Sequence, residues 1–181
     1  MRPIQITLAF LFTVSSLFAQ LRVNNGASSI EIDGTSNVHD WTENVETISG
    51  SCYATLAGSA LKEIKSMQIS IPVRAIKSGK STMDKNTYSA MNADKHPTIT
   101  FNLKSASISG NKVLCTGSLT INGKSNAVTI TSVYTVSGGK LILKGSYKMK
   151  MTDYGITPPT AMLGAMTTGN DLTIRFNLVF N

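Results

Sequence analysis

From Ser29 to the C-terminus the chain alternates apolar and polar residues in run after run, and this period of two restricts its fold more than any other feature. Met67, Ile69, Ile71 and Val73 alternate with Gln68, Ser70, Pro72 and Arg74, while Leu172, Ile174, Phe176, Leu178 and Phe180 face away from Thr173, Arg175 and Asn177. Successive side chains of a strand point to opposite faces, so each run is a strand with one apolar and one wet face. Runs of the same kind at 30–32, 48–56, 99–103, 113–121, 128–136 and 141–151 bring the count to eight. Ser109-Gly110-Asn111, Asn122-Gly123-Lys124 and Ser137-Gly138-Gly139 supply tight turns for hairpins. Parallel strands would need long crossovers and two-sided apolar runs, so an antiparallel sheet with one buried face is expected. Eight such strands fold into a sandwich or close into a barrel. Closure is preferred, because a single helical segment is at hand to cover the apolar face.

That segment starts at Ser81-Thr82-Met83-Asp84, a capping pattern, and runs to about Lys95, ahead of Pro97. A second exception is the stretch 154–169, with Pro158, Pro159, Met162, Leu163 and Met166 and no period. So long and apolar a loop is uncommon and usually functional; loop and helix together are expected to cover one mouth of the barrel.

Charged residues make up 15% and apolar ones 41%, a balance that buries a core and argues against disorder. Residues 1–19 read as an export signal, with Arg2 before an apolar run and the small Ala19 at the cut. Cleavage there leaves 181 − 19 = 162 residues as one domain, 20–181, and lowers the formal charge from +7 to +6 as Arg2 is lost. No other stretch approaches the roughly 18 to 20 apolar residues of a membrane-spanning helix. No Cys follows the apolar run to take a lipid anchor, so a soluble periplasmic or secreted protein is expected. Cys52 and Cys115 are the only thiols, which is no disulfide framework. In a simple meander they lie about three strands apart, beyond a disulfide's reach, so two buried free thiols are expected, with a bridge as the alternative if the strand order is otherwise.

A small barrel is either filled by its own side chains or encloses one small ligand. Inward positions here mix small residues (Gly50, Ala54, Gly117, Gly145) with bulky, adaptable ones, and unbranched thioethers conform well to flexible chains. The interior therefore reads as a lipid-sized pocket. Its walls are expected at Ile69, Ile71, Phe101, Leu103 and Leu119, and at Tyr134, Tyr147, Met149, Phe176 and Leu178. Met83, Tyr88, Met91, Met162, Leu163 and Met166 form the expected movable cover. The alternative is that these side chains simply pack against one another.

Four stretches carry a family resemblance: Gly34-Thr35-Ser36-Asn37-Val38-His39-Asp40-Trp41, His96-Pro97-Thr98-Ile99-Thr100-Phe101, Gly117-Ser118-Leu119-Thr120-Ile121-Asn122-Gly123-Lys124 and Met151-Thr152-Asp153-Tyr154-Gly155-Ile156. In order and spacing the chain resembles the YceI-like family of exported polyisoprenoid-binding proteins over nearly all of its mature length. The resemblance implies a lipocalin-like antiparallel barrel whose interior holds a long isoprenoid or other amphiphilic lipid, with no cofactor. Where many members carry an Arg-Asp pair at the helix start, this chain has Met83-Asp84, which removes any polar contact that arginine makes to a head group and leaves room for a more apolar ligand end.

Other chemistries find little support. His39 and Asp40 are neighbours on a strand and point to opposite faces unless a bulge intervenes, so Asp40 reads as a turn cap and Trp41 as a plug at one barrel end. An enzyme acting on a bound lipid through His39 or Asp153 is the alternative function, and a filled barrel that binds protein is a third. With two His and two Cys and no spaced ligand cluster, no metal site is expected. Lys140, Lys144, Lys148 and Lys150 share an outward face that keeps a strand soluble and that could also meet anionic lipid head groups transiently. The outward faces lack the aromatics that stack nucleic-acid bases, and a surface of Lys, Thr, Ser and Asn excludes an outer-membrane barrel.

Overall fold

The structure, a computed structural model, describes residues 19–181, and of Ala19, Ala161 and Met162 the backbone alone. The expected export signal thus lies almost wholly outside the described residues. The strands are β1 (Ala19–Arg22), β2 (Ser29–Ser36), β3 (Trp41–Val45), β4 (Ser49–Ala57), β5 (Ala60–Pro72), β6 (Ile76–Lys77), β7 (Thr98–Ser109), β8 (Lys112–Ile121), β9 (Lys124–Ser137), β10 (Lys140–Lys150), β11 (Thr160–Ala161) and β12 (Met166–Phe180). One helix, α1 (Ser81–Ala90), separates β6 from β7. Every pairing is antiparallel, in the order β1-β4-β5-β7-β8-β9-β10-β12-β2-β3-β6, with β11 alongside β12.

Both ends of that order are tied back. Beyond β1, Arg22 and Asn181 exchange backbone hydrogen bonds of 2.8 and 2.9 Å, which joins the first strand to the last. At the other end, β5 runs through a single tight turn (Val73–Ala75) into β6, which pairs with β3. The sheet therefore curls into a barrel-like wall. Arg175 clamps the β12–β2 seam from outside, 2.7 Å from both Glu31 and Asp33.

Among the described residues twelve strands replace the expected eight. β1, β6 and β11 have only four, two and two residues, too few for a periodic pattern. β3 was hidden for another reason: its central inward residue is Glu43, which breaks the apolar alternation between Trp41 and Val45. The turns follow their chemistry. Asn122 and Gly123 (φ +50° and +72°) and Gly138 and Gly139 (φ +57° and +76°) make two-residue loops whose positive φ values match strand twist.

The helix starts where expected but is capped differently and ends sooner. Lys80 precedes the first turn without a side-chain cap, and Asp84 reaches back to accept from the Ser78 amide (2.8 Å) and hydroxyl (2.6 Å). The Ser78 hydroxyl is the main cause that holds the Asp84 carboxyl below its ordinary range. After Ala90 the chain leaves the helix, and Asn92 takes φ +47°.

Away from the helix the interior is solid. Cys52, Val113, Leu141 and Phe180 are wholly buried there. Cys52 and Cys115 are both free and buried. Burial is the main cause that pushes their thiols up to about 12 and about 11. Cys52 should not alkylate with iodoacetamide at pH 8 in the folded protein, and Cys115, which borders an internal cavity, should do so only slowly, whereas both should react readily in denaturant, because the thiolate is the nucleophile. Mass spectrometry of the labelled chain checks this; rapid native labelling would contradict the packing.

Candidate ligand-binding cavity

Between the solid end and the helix the inner faces do not meet, and they leave a cavity of about 590 Å³. At roughly 30 Å³ for each water-sized group, it has room for about 20 heavy atoms. Its wall is almost entirely apolar, with Ile30 and Ile32 from β2, Ile69 and Ile71 from β5, Ile99 and Phe101 from β7, and Leu172, Ile174 and Phe176 from β12. One face of α1 roofs it through Met83, Thr87 and Ala90, spaced by four and three residues as a helix requires, and Met91 continues the roof just past the helix end.

Two rings are held flat against the wall by glycines. A Cβ on Gly117 would lie 2.7 Å from Phe101 Cζ, and one on Gly145 would lie 2.8 Å from Phe176 Cζ. These glycines do not themselves supply empty space, as their small size suggests. They seat the rings, and the room lies in front of them.

Of the expected wall and cover residues, Ile69, Ile71, Met83, Met91, Phe101, Leu119, Tyr147, Met149, Met166, Phe176 and Leu178 line the cavity. Four do not. Tyr88 faces away from it: its hydroxyl donates to the Arg74 and Ile76 carbonyls (3.0 and 2.9 Å), and Arg74 and Lys77 lie over its ring, so it fastens the helix to β6. Leu103 and Tyr134 pack against the core off the cavity wall. Leu163 is fully exposed at φ +56° and covers nothing. The Met162 side chain lies outside the described residues. The covering loop is thus a rim built from Ile156, Pro159, Thr160 and Met166.

Two buried polar side chains, Glu43 and Ser132, also reach the wall. Glu43 is 2% exposed, and its Oε1 accepts from the Thr87 hydroxyl at 2.7 Å. Burial pushes its carboxyl above the ordinary carboxylate range, aided by Asp84 and opposed by Thr87. Ser132, also buried, brings to the wall a hydroxyl with no partner among the described residues. It shares the inward parity of Val128, Ile130 and Val136, and that parity was the signal that could have found it.

His39 and Asp153 are not brought together. His39 sits at the cavity rim, its Nδ1 2.9 Å from the Asp40 carbonyl. Asp153 is absent from the wall and accepts from the Lys150 amide at 3.1 Å, capping the turn Met151–Tyr154. No group of three potential metal ligands occurs among the described residues. Trp41 closes one side of the mouth: its ring covers Gly34 and its Nε1 donates to the Thr35 carbonyl at 3.0 Å.

A curled antiparallel sheet around an apolar hollow, roofed by one helix, places the molecule among barrel-like β proteins with an internal cavity. More narrowly, it belongs to the YceI-like family, whose domain model matches residues 21–180. No curated protein sequence matches the chain. Among solved structures it is similar to BcnA of Burkholderia cenocepacia, with 20% identity over 87% of this chain and 98% of that one and a TM-score of 0.72. A polyisoprenoid binding domain from Saccharophagus degradans, implicated in plant cell wall breakdown, gives 12% identity over 91% and 99%, also at a TM-score of 0.72. The Campylobacter jejuni YCEI protein gives 22% identity over 76% and 82%, with a TM-score of 0.61. At these identities the likeness is one of fold.

Proposed function

We propose that the protein is an exported carrier or storage protein that holds an isoprenoid-type or other amphiphilic lipid in the cavity under α1. The observation that carries this reading is the cavity itself, apolar, of ligand size and left unfilled by its own wall. A filled barrel serving as a protein-binding module would have no such space. The polyisoprenoid binding domain from Saccharophagus degradans, which shares the fold, supports a chain lipid as the class of ligand. The reading requires binding without chemistry, and the separate structural engagements of His39 and Asp153 agree with that. Export rests on residues 1–19, and transient contact with an anionic membrane rests on the outward Lys140, Lys144, Lys148 and Lys150, all of them exposed.

Removal of the ligand's apolar surface from water drives the binding, at about 25 cal/mol per Å² before ordering costs. At about −0.3 kcal/mol per heavy atom, a ligand of roughly 20 atoms binds with about −6 kcal/mol, in the tens of micromolar or tighter. The chain has a single Trp, and Trp41 stands on the cavity wall, so its emission reports occupancy directly. Titration of delipidated protein with geranylgeraniol should shift that emission saturably, and solvent extracts of native protein should contain a chain lipid by mass spectrometry. A flat titration together with lipid-free extracts would remove the proposal.

A further inference from the structure

Glu43 is the only acidic side chain on the cavity wall among the described residues, and it is buried. An ionisable group in so dry a place calls for a partner. Thr87 donates to Oε1 at 2.7 Å, and the carboxyl borders the cavity. The groups around it are unevenly charged. From α1 come Thr87, Asn86 and Asp84; Lys77 on β6 lies 3.9 Å from Asp84. Lys80 and His39 stand exposed at the rim. Lys80 is the only Lys or Arg side chain on the described wall, and its exposure leaves it screened by water. Met83 and Met151 are also on the wall and carry no charge.

We propose that Glu43 and Thr87 form the headgroup subsite of the cavity, selecting a chain lipid with an uncharged, hydrogen-donating end, such as an alcohol, phenol or primary amide, over a phosphate or carboxylate. The inference rests on the carrier reading above and adds to it a ligand class and a residue that sets it. A hydroxyl entering from the cavity donates to the Glu43 carboxylate beside the Thr87 hydrogen bond. An anionic head placed there repels an ionised Glu43, or forces it to take up a proton at a cost, in surroundings where water screens little.

The test uses two chains that differ only at the end, geranylgeraniol and geranylgeranyl monophosphate, titrated into the delipidated protein with Trp41 emission as the readout. The wild type should bind the alcohol about tenfold more tightly or better. Glu43→Gln keeps the size and the hydrogen bonding and removes the charge, so it should bring the two affinities within about threefold, mainly by strengthening the phosphate. The variant is expected to fold. The carboxyl is raised above its ordinary 4.5 in the folded protein, so ionisation as pH climbs past that value works against the fold, and a neutral Gln escapes the penalty. A thermal melt checks this, and the affinity ratio is a quantity that a merely structural Glu43 would not move. Equal wild-type binding of both chains, or a ratio unchanged in Glu43→Gln, overturns the subsite and leaves the carrier reading standing. Uptake of neither chain overturns both.

Discussion

Leu119→Trp is expected to weaken uptake of geranylgeraniol by about a hundredfold or more while leaving the melting temperature unchanged or slightly higher. Leu119 lies on β8 opposite Phe101 and faces the cavity, half-buried because the space before it is open. An indole there fills volume that a ligand would occupy. Each displaced methylene forfeits about 0.8 kcal/mol of burial, so excluding about four of them costs roughly 3 kcal/mol, a little over a hundredfold in affinity. The same enlargement in a packed core forces strained rotamers at about 1–3 kcal/mol. Leu141→Trp is the matched control, because Leu141 is wholly buried in the solid end and does not line the cavity. It should lower the melting temperature clearly. If Leu119→Trp melts as early as Leu141→Trp and still takes up the alcohol, the cavity is not where the lipid goes.

The large features of this fold were legible because they depend on side-chain period. The alternating runs gave most of the sheet, and the Asn-Gly and Gly-Gly pairs gave the hairpins, each by a local rule that tertiary structure had no reason to override. What escaped depends on other things. The tie between Arg22 and Asn181 is made by backbone groups that every residue carries, so no side-chain pattern announces it. β3 escaped because its inward centre is a carboxylate. The residue that concealed the strand, Glu43, is the one that gives the cavity its polar end. Tyr88 has the apolar body expected of a cover residue, but its hydroxyl needs a partner, and the carbonyls of Arg74 and Ile76 turn it outward. Hydropathy alone puts Leu163 in the cover. The left-handed turn at its position points it to solvent instead.

The glycines that look like empty space in the sequence lead to the second large effect. Gly117→Ala should destabilise the protein by about 3 kcal/mol, near the upper end for overpacking, which for a chain of this size lowers the melting temperature by roughly 6–12 °C. The added Cβ would lie 2.4 Å from the Asn102 carbonyl oxygen and 2.7 Å from Phe101 Cζ. The ring can swing away into the cavity. The carbonyl belongs to the neighbouring strand of the same ladder and cannot retreat without loosening the β7–β8 pairing. Gly110→Ala separates this effect from the general cost of replacing a glycine: its φ of +58° strains an alanine, but nothing lies within 4 Å of the new methyl, so about 1–2 kcal/mol is expected. Phe101→Leu added to Gly117→Ala should recover the part of the loss due to the ring and none of that due to the carbonyl, a coupling that a double-mutant cycle isolates. A ring displaced from its seat also enters the space meant for a lipid, so Gly117→Ala alone should weaken geranylgeraniol uptake. A melting shift under about 2 °C would mean that the wall yields where this geometry has it rigid.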